Sequence, residues 1–245
     1  MAIINIDKLL ADKRGKNHIA RVGIEMEGGW AKRPPTPVER DSSVKFDSNS
    51  GITMYAVGEV ASPVIEPVMI RSWVLNNYPA YVNESCGLHI HQSFSTPLHY
   101  MALMDEDYQQ TMLEYLKRWG KQVGIPEKHC FWDRLNGKSE YCQLKHWPDR
   151  QVLATKKDYD RTKEGHRYTA INYCHGLHGM ETIEVRVLPM FEDADHAVSA
   201  LELIVDVTNA CLEQLVKKHK NGRIVIGNLD LSSTVNSVDY VASQY

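Results

Sequence analysis

Glu25 and Glu27 stand two residues apart in Gly23-Ile-Glu25-Met-Glu27, and in an extended chain that spacing turns both carboxylates to one face. Neighbouring anions repel unless a cation or a base lies between them. The pair therefore fits either a solvent-washed edge strand or a strand that holds a cation. Gly87-Leu-His89-Ile-His91-Gln-Ser93 uses the same spacing with imidazoles: His89, His91 and Ser93 share one face, and Leu88, Ile90 and Gln92 take the other. Imidazoles so placed can ligate a metal, and Gly87 allows close approach of a ligand or backbone; the other reading is two half-buried histidines satisfied by neighbours. In Thr182-Ile-Glu184-Val-Arg186 the acid and the guanidinium again share a face. They form either a surface ion pair of ~0–1 kcal/mol, or a carboxylate for a metal beside a planar fork shaped for phosphate. Glu59, in Val57-Gly-Glu59-Val-Ala-Ser62-Pro63, says little by itself.

The elements that must carry these residues follow from periodicity. Residues 20–27 alternate as a strand ending at Gly28-Gly29, and the prolines at 34, 35 and 37 make the next segment a loop. Residues 52–60 predict a second strand ended by Ser62-Pro63, residues 66–76 a helix, and 87–94 a third strand. Residues 105–123 predict a helix with Met112, Leu113, Leu116 and Trp119 on one face, ended by Gly124 and Pro126. The polar stretch 127–166 reads as loops, an insertion or a flap. Residues 168–174 and 182–188 read as a hairpin pair. Residues 194–218 predict a long helix with Val198, Leu201, Ile204, Val205, Thr208, Cys211 and Leu215 inward, Lys217-Lys218-His219-Lys220 at its end suiting the dipole. Strands first and a long helix late, without β-α-β alternation, predict an α+β fold with a mostly antiparallel sheet in a single domain over 1–245.

Composition narrows the class. The 245 residues suffice to bury a sizeable core, and 43% hydrophobic with 24% charged residues is ordinary for a soluble globular protein. A net charge of −3 without a broad basic bias argues against a nucleic-acid partner. No apolar run reaches membrane-spanning length, and residues 1–10 lack the apolar centre of a signal peptide. Five scattered cysteines, at 86, 130, 142, 174 and 211 with no C-x-x-C pair, suit reduced thiols in a cytoplasm. Each strand motif has an apolar side and a side bearing carboxylate, imidazole or guanidinium. A surface collecting Glu25, Glu27, Glu59, His89 and Glu184 would be strongly anionic if empty, and oxygen ligands favour Mg²⁺ or Mn²⁺ over zinc.

In this order the motifs resemble those of glutamine synthetases, glutamate–cysteine ligases and, more closely, their small amidoligase (COOH–NH2 ligase) relatives. Those relatives pair a Gly-x-Glu-x-Glu strand with an Asp-x-Ser turn, a Glu-x-x-Ser-Pro segment, an H-x-H strand, an Arg-x4-Asn segment and a Thr-x-Glu-x-Arg strand. Here these are residues 23–27, 41–43, 59–63, 89–91, 167–172 and 182–186, so the resemblance spans about residues 20–190. It implies a half-barrel of curved antiparallel sheet with helices outside. It also implies an ATP-dependent ligase that joins a small-molecule or peptide carboxylate to an amine through an acyl-phosphate. Glu25, Glu27, Glu59, His89 and Glu184 resemble ligands of two or more divalent ions. Arg186 resembles the arginine on the transferred phosphoryl group, and Arg167 one that contacts phosphate or the substrate carboxylate. His91 and Ser93 resemble residues beside the nucleotide, and Asp41, Ser43 and Asn172 residues beside the substrate. The family's further glutamate corresponds to Glu66, on the expected helix.

Three rivals remain at the level of sequence. A zinc hydrolase could use the H-x-H strand with a third histidine from His146, His166, His175 or His178. His129, Cys130, Cys142 and His146 could form a structural zinc clip. A binding protein could keep the sheet without catalysis.

Overall fold

The computed structural model describes residues 19–47, 51, 53–94, 99–100, 103, 106–140, 142–144, 169–173, 182–218 and 224–226; of 106, 107, 214–218 and 224–226 it describes the backbone. The first strand, β1, runs Ile19–Trp30, and β2 runs Ala56–Ala61. A 3₁₀ turn at Pro67–Met69 leads into α1, Ile70–Asn77. β3 spans Gly87–Phe94, α2 Glu106–Gln122 and α3 Cys130–Leu135. β4 is Ile171–Asn172, β5 Thr182–Pro189 and α4 Ala194–Leu215. A small antiparallel pair, β6 (Val216–Lys218) and β7 (Ile224–Ile226), follows.

The main sheet is five-stranded, in the order β2-β1-β3-β5-β4, with every adjacent pair antiparallel. One face is apolar: Val22, Ile24, Met26, Leu88, Ile90, Ile183 and Val185 are all fully buried. Helix α4 packs against β1 and β3 and also touches α1 and α2, while α3 packs on β5. Val198, Leu201, Ile204, Val205, Thr208 and Cys211 face inward as their spacing predicts. Thr208 Oγ1 bonds the Ile204 carbonyl at 2.8 Å and meets the Tyr108 hydroxyl at 2.8 Å, so this polar side chain is satisfied inside the core. Among the described residues no helix is long and apolar enough to cross a membrane.

Several boundaries differ from the sequence expectation. β1 continues through Gly28 and Gly29 to Trp30, because these glycines serve close packing rather than termination. A Cβ at Gly28 would lie 2.6 Å from Pro79 Cβ, and one at Gly29 would collide with the Met54 sulfur. β2 begins at Ala56 rather than at residue 52, and the helix expected over 66–76 opens as a 3₁₀ turn at Pro67 before α1 begins at Ile70. The polar stretch from 127 contains α3, capped by His129, whose Nδ1 accepts the Phe131 amide at 3.1 Å. The last helix ends at Leu215, and Lys217 and Lys218 belong to a strand, where the β-branched run Ile224-Val225-Ile226 pairs with them. Residues 1–10, Arg167, Cys174 and the four histidines of the hydrolase reading lie outside the described residues.

Candidate metal centre on the polar face of the sheet

The register decides which polar side chains meet. Glu25 stands opposite His89 and Glu27 opposite Glu59 across the β1 pairs. His91 stands opposite Gly23 on one side and Glu184 on the other, and Glu184 opposite Asn172. β1 is thus an interior strand, not an edge; its Glu27 is 5% exposed, and Glu184 on β5 is 2% exposed. A β-bulge completes the arrangement. Leu88 pairs with Leu188 but Ile90 with Val185, so His89 alone faces both Arg186 and Val187. Such a bulge re-aims a side chain, and here it keeps Arg186 beside the acids while Val187 enters the core.

Among the described residues two ligand groups result. In the first, one oxygen or nitrogen each from Glu25, His89 and Glu184 lie within 4.8 Å of one another; in the second, oxygens of Glu27, Asp41 and Glu59 do the same. His89 stands between them. Its Nδ1 is 3.2 Å from Glu25 Oε2 and 3.6 Å from Glu184 Oε1, and its Nε2 is 4.0 Å from Glu27 Oε1. The acids are held in place by the fold: Asn172 Nδ2 donates to Glu184 Oε2 at 2.8 Å, Arg186 Nη1 to Glu184 Oε1 at 3.1 Å, and the Gly87 amide to Glu27 Oε2 at 2.5 Å. Gly87 matters for a second reason, since a Cβ there would lie 2.5 Å from His89 Nε2 and 3.1 Å from Glu27 Oε2.

The electrostatics fit a cation. Burial pushes Glu59 up to about 8, reinforced by the charges of Glu25, Glu27, Asp41 and Glu39: the second group holds more negative charge than it can keep ionised alone. For Glu25, burial opposes ionisation, but hydrogen bonds from His89 and His91 and their charges override it and hold the carboxyl far below its usual range. Burial also opposes a charged His91, yet the hydrogen bond to Glu25 and the charges of Glu184 and Glu25 outweigh it and raise the imidazole. Five of the six groups are carboxylates in separate, oxygen-rich sets, the donor chemistry that suits hard divalent ions.

The remaining sequence candidates are placed as follows. His91 does not join His89 as a paired ligand; its Nε2 lies 3.1 Å from Glu25 Oε1. Ser93 is further along the same strand, its hydroxyl 3.2 Å from the Arg21 carbonyl. Asp41, expected beside a substrate, brings its carboxylate to Glu27 and Glu59 instead, and Ser43 donates its amide to Asp41 Oδ1 at 2.7 Å. Asn172 is buried and bonds Glu184. Glu66 belongs to neither group, because it pairs with Arg21 at 3.0 Å on the exposed end of the sheet. His129, Cys130 and Cys142 do not converge as ligands. One residue escaped the sequence reading: Arg134 on α3, 2% exposed, donates to the carbonyls of Leu188, Glu84 and Cys86 at 3.1–3.2 Å. Its only sequence signal is a lone arginine in a short, mostly apolar turn, Cys130-Phe-Trp-Asp-Arg134-Leu.

The chain matches no family model, no curated protein and no solved structure.

Proposed function

We propose that this chain is an ATP-dependent carboxylate–amine ligase whose sheet is the curved half-barrel of a glutamine-synthetase-like catalytic domain. The observation that carries the reading is the pair of carboxylate-rich groups on one sheet face, linked by His89 and flanked by Arg186. A carboxylate is a poor electrophile in water. Phosphorylation by ATP gives an acyl-phosphate and ADP; attack by an amine then gives the amide and releases phosphate. Divalent ions such as Mg²⁺ or Mn²⁺ would neutralise charge on the phosphoryl oxygens.

The chain's own residues supply geometry. Glu25, His89 and Glu184 would hold one ion, and Glu27, Asp41 and Glu59 the other. Arg186, held in register by the bulge and by its amide bond to the Ala170 carbonyl at 3.0 Å, offers a guanidinium to the transferred group. Asn172 fixes Glu184 so that its other oxygen faces the first ion. His91 keeps Glu25 ionised, a positioning role beside the nucleotide. Arg167 and Ser93 are assigned to phosphate and nucleotide contacts by resemblance alone. The hydrolytic alternative needs both imidazoles on one zinc, whereas His91 is turned to Glu25.

The test is a panel of carboxylate and amine pairs supplied with ATP and Mg²⁺ or Mn²⁺. The proposal predicts phosphate release that requires both organic partners, and a product whose mass is their sum less one water. Stoichiometric zinc with ATP-independent hydrolysis, or phosphate release indifferent to both partners, would sink it.

A further inference from the structure

Gly58, next to the second group's Glu59, has φ +153°, a conformation that side chains rarely adopt. It also has no room. A Cβ there would collide with the Glu39 carbonyl oxygen and lie 3.3 Å from Arg40 Cα. The reason is that the segment leading to Asp41 lies directly over this glycine. Glu39 and Glu59 form an isolated antiparallel bridge on the outer edge of β2, their amides donating reciprocally to each other's carbonyls at 2.7 and 2.8 Å. The segment is fastened on both sides of that bridge. The Thr36 amide donates to Asn77 Oδ1 at 2.9 Å, and Asn77 is buried and also accepts the Trp30 indole at its carbonyl. The Lys45 amide donates to Ser85 Oγ at 3.0 Å, and Asn83 Nδ2 to the Lys45 carbonyl at 2.6 Å. Residues 36–45 are therefore a fixed strap across the sheet edge, and the Asx turn of Asp41 with Ser43 orients the carboxylate it carries.

We infer that Gly58 is a positioning residue for the second ion: it seats the Glu39–Asp41 strap on β2 and thereby delivers Asp41 to Glu27 and Glu59. The inference rests on the two-ion reading above. A side chain at 58 displaces the strap without altering any ligand. The loss should therefore fall on one ion alone, as when supporting partners of metal ligands are removed.

Calorimetric titration of the full chain with Mn²⁺ tests it. The wild type should bind two ions. Gly58→Ala should retain one at near wild-type affinity and bind the other about 10- to 100-fold more weakly. Glu39→Pro, which removes the bridging N–H from an exposed position without touching β2, should do the same, while Glu39→Gln, which removes only the charge, should keep both ions. Two ions at wild-type affinity in Gly58→Ala or Glu39→Pro would overturn the inference while leaving the two-ion reading intact, and so would loss of both ions in Glu39→Pro, since that marks a general structural role. A wild type that binds no ion overturns the inference and the reading together.

Discussion

Replacing Arg186 with alanine should lower ligase turnover on the order of 10²-fold or more, the scale seen when a preorganised donor to a developing charge is removed, without loss of bound Mn²⁺. The two effects separate because of where the guanidinium sits. Its Nη1 lies 3.1 Å from Glu184 Oε1, the same oxygen that lies 3.6 Å from His89 Nδ1 in the first ligand group. Arginine and the proposed ion would thus share one carboxylate oxygen, and a fixed positive charge beside a cation site weakens that site. Removing it should leave ion affinity unchanged or tighter while the phosphoryl group loses its partner. Glu184→Ala should do the reverse first, losing the ion and activity with it. Arg186→Lys keeps the charge but not the planar fork and should fall between. Steady-state phosphate release combined with Mn²⁺ titration separates these cases. Full activity in Arg186→Ala would remove it from the chemistry.

The largest effect on stability should come from a residue outside the site. Arg134 places a permanent cation in the interior, and it is tolerated because its nitrogens bond the Leu188 carbonyl at 3.1 Å and those of Glu84 and Cys86 at 3.2 Å. These carbonyls belong to the end of β5 and to the turn that enters β3. Arg134 therefore ties α3 to the two strands that carry Glu184, Arg186, His89 and His91. Alanine at 134 should lower unfolding free energy by about 3–5 kcal/mol, because stranded buried acceptors (about 1–3 kcal/mol each) add to a cavity left by a large side chain. The Cys86 carbonyl keeps the Met190 amide at 2.9 Å and loses least. Denaturant unfolding would show this as a lower midpoint at constant slope. A change under about 1 kcal/mol would mean that water replaces the guanidinium without penalty, contrary to its burial.

Much of the site was legible in the sequence because strand periodicity is local. The pairs Glu25/Glu27, His89/His91 and Glu184/Arg186 each follow from a two-residue repeat against apolar neighbours, and β3 was bounded correctly for that reason. Register is not local. No property of Glu25 alone says that His89 will face it, and the bulge by which Arg186 and Val187 both face His89 arises from two residues on β5 opposing one on β3. The approach of Asp41 to Glu27 and Glu59 is equally non-local: it depends on a bridge between Glu39 and Glu59 and on the space above Gly58. Gly28 and Gly29 were read as a strand end because glycine commonly marks one, whereas here they admit Pro79 and Met54 to the backbone. Arg134 carried a polar type at a buried position, and composition assigns such residues to the surface.

Diffraction from crystals soaked in Mn²⁺, recorded at the manganese absorption edge, tests the central claim most directly. Two anomalous peaks should appear on the polar face, one bounded by Glu25, His89 and Glu184 and the other by Glu27, Asp41 and Glu59. A map with no peak on that face, or a single peak between His89 and His91, would contradict the account.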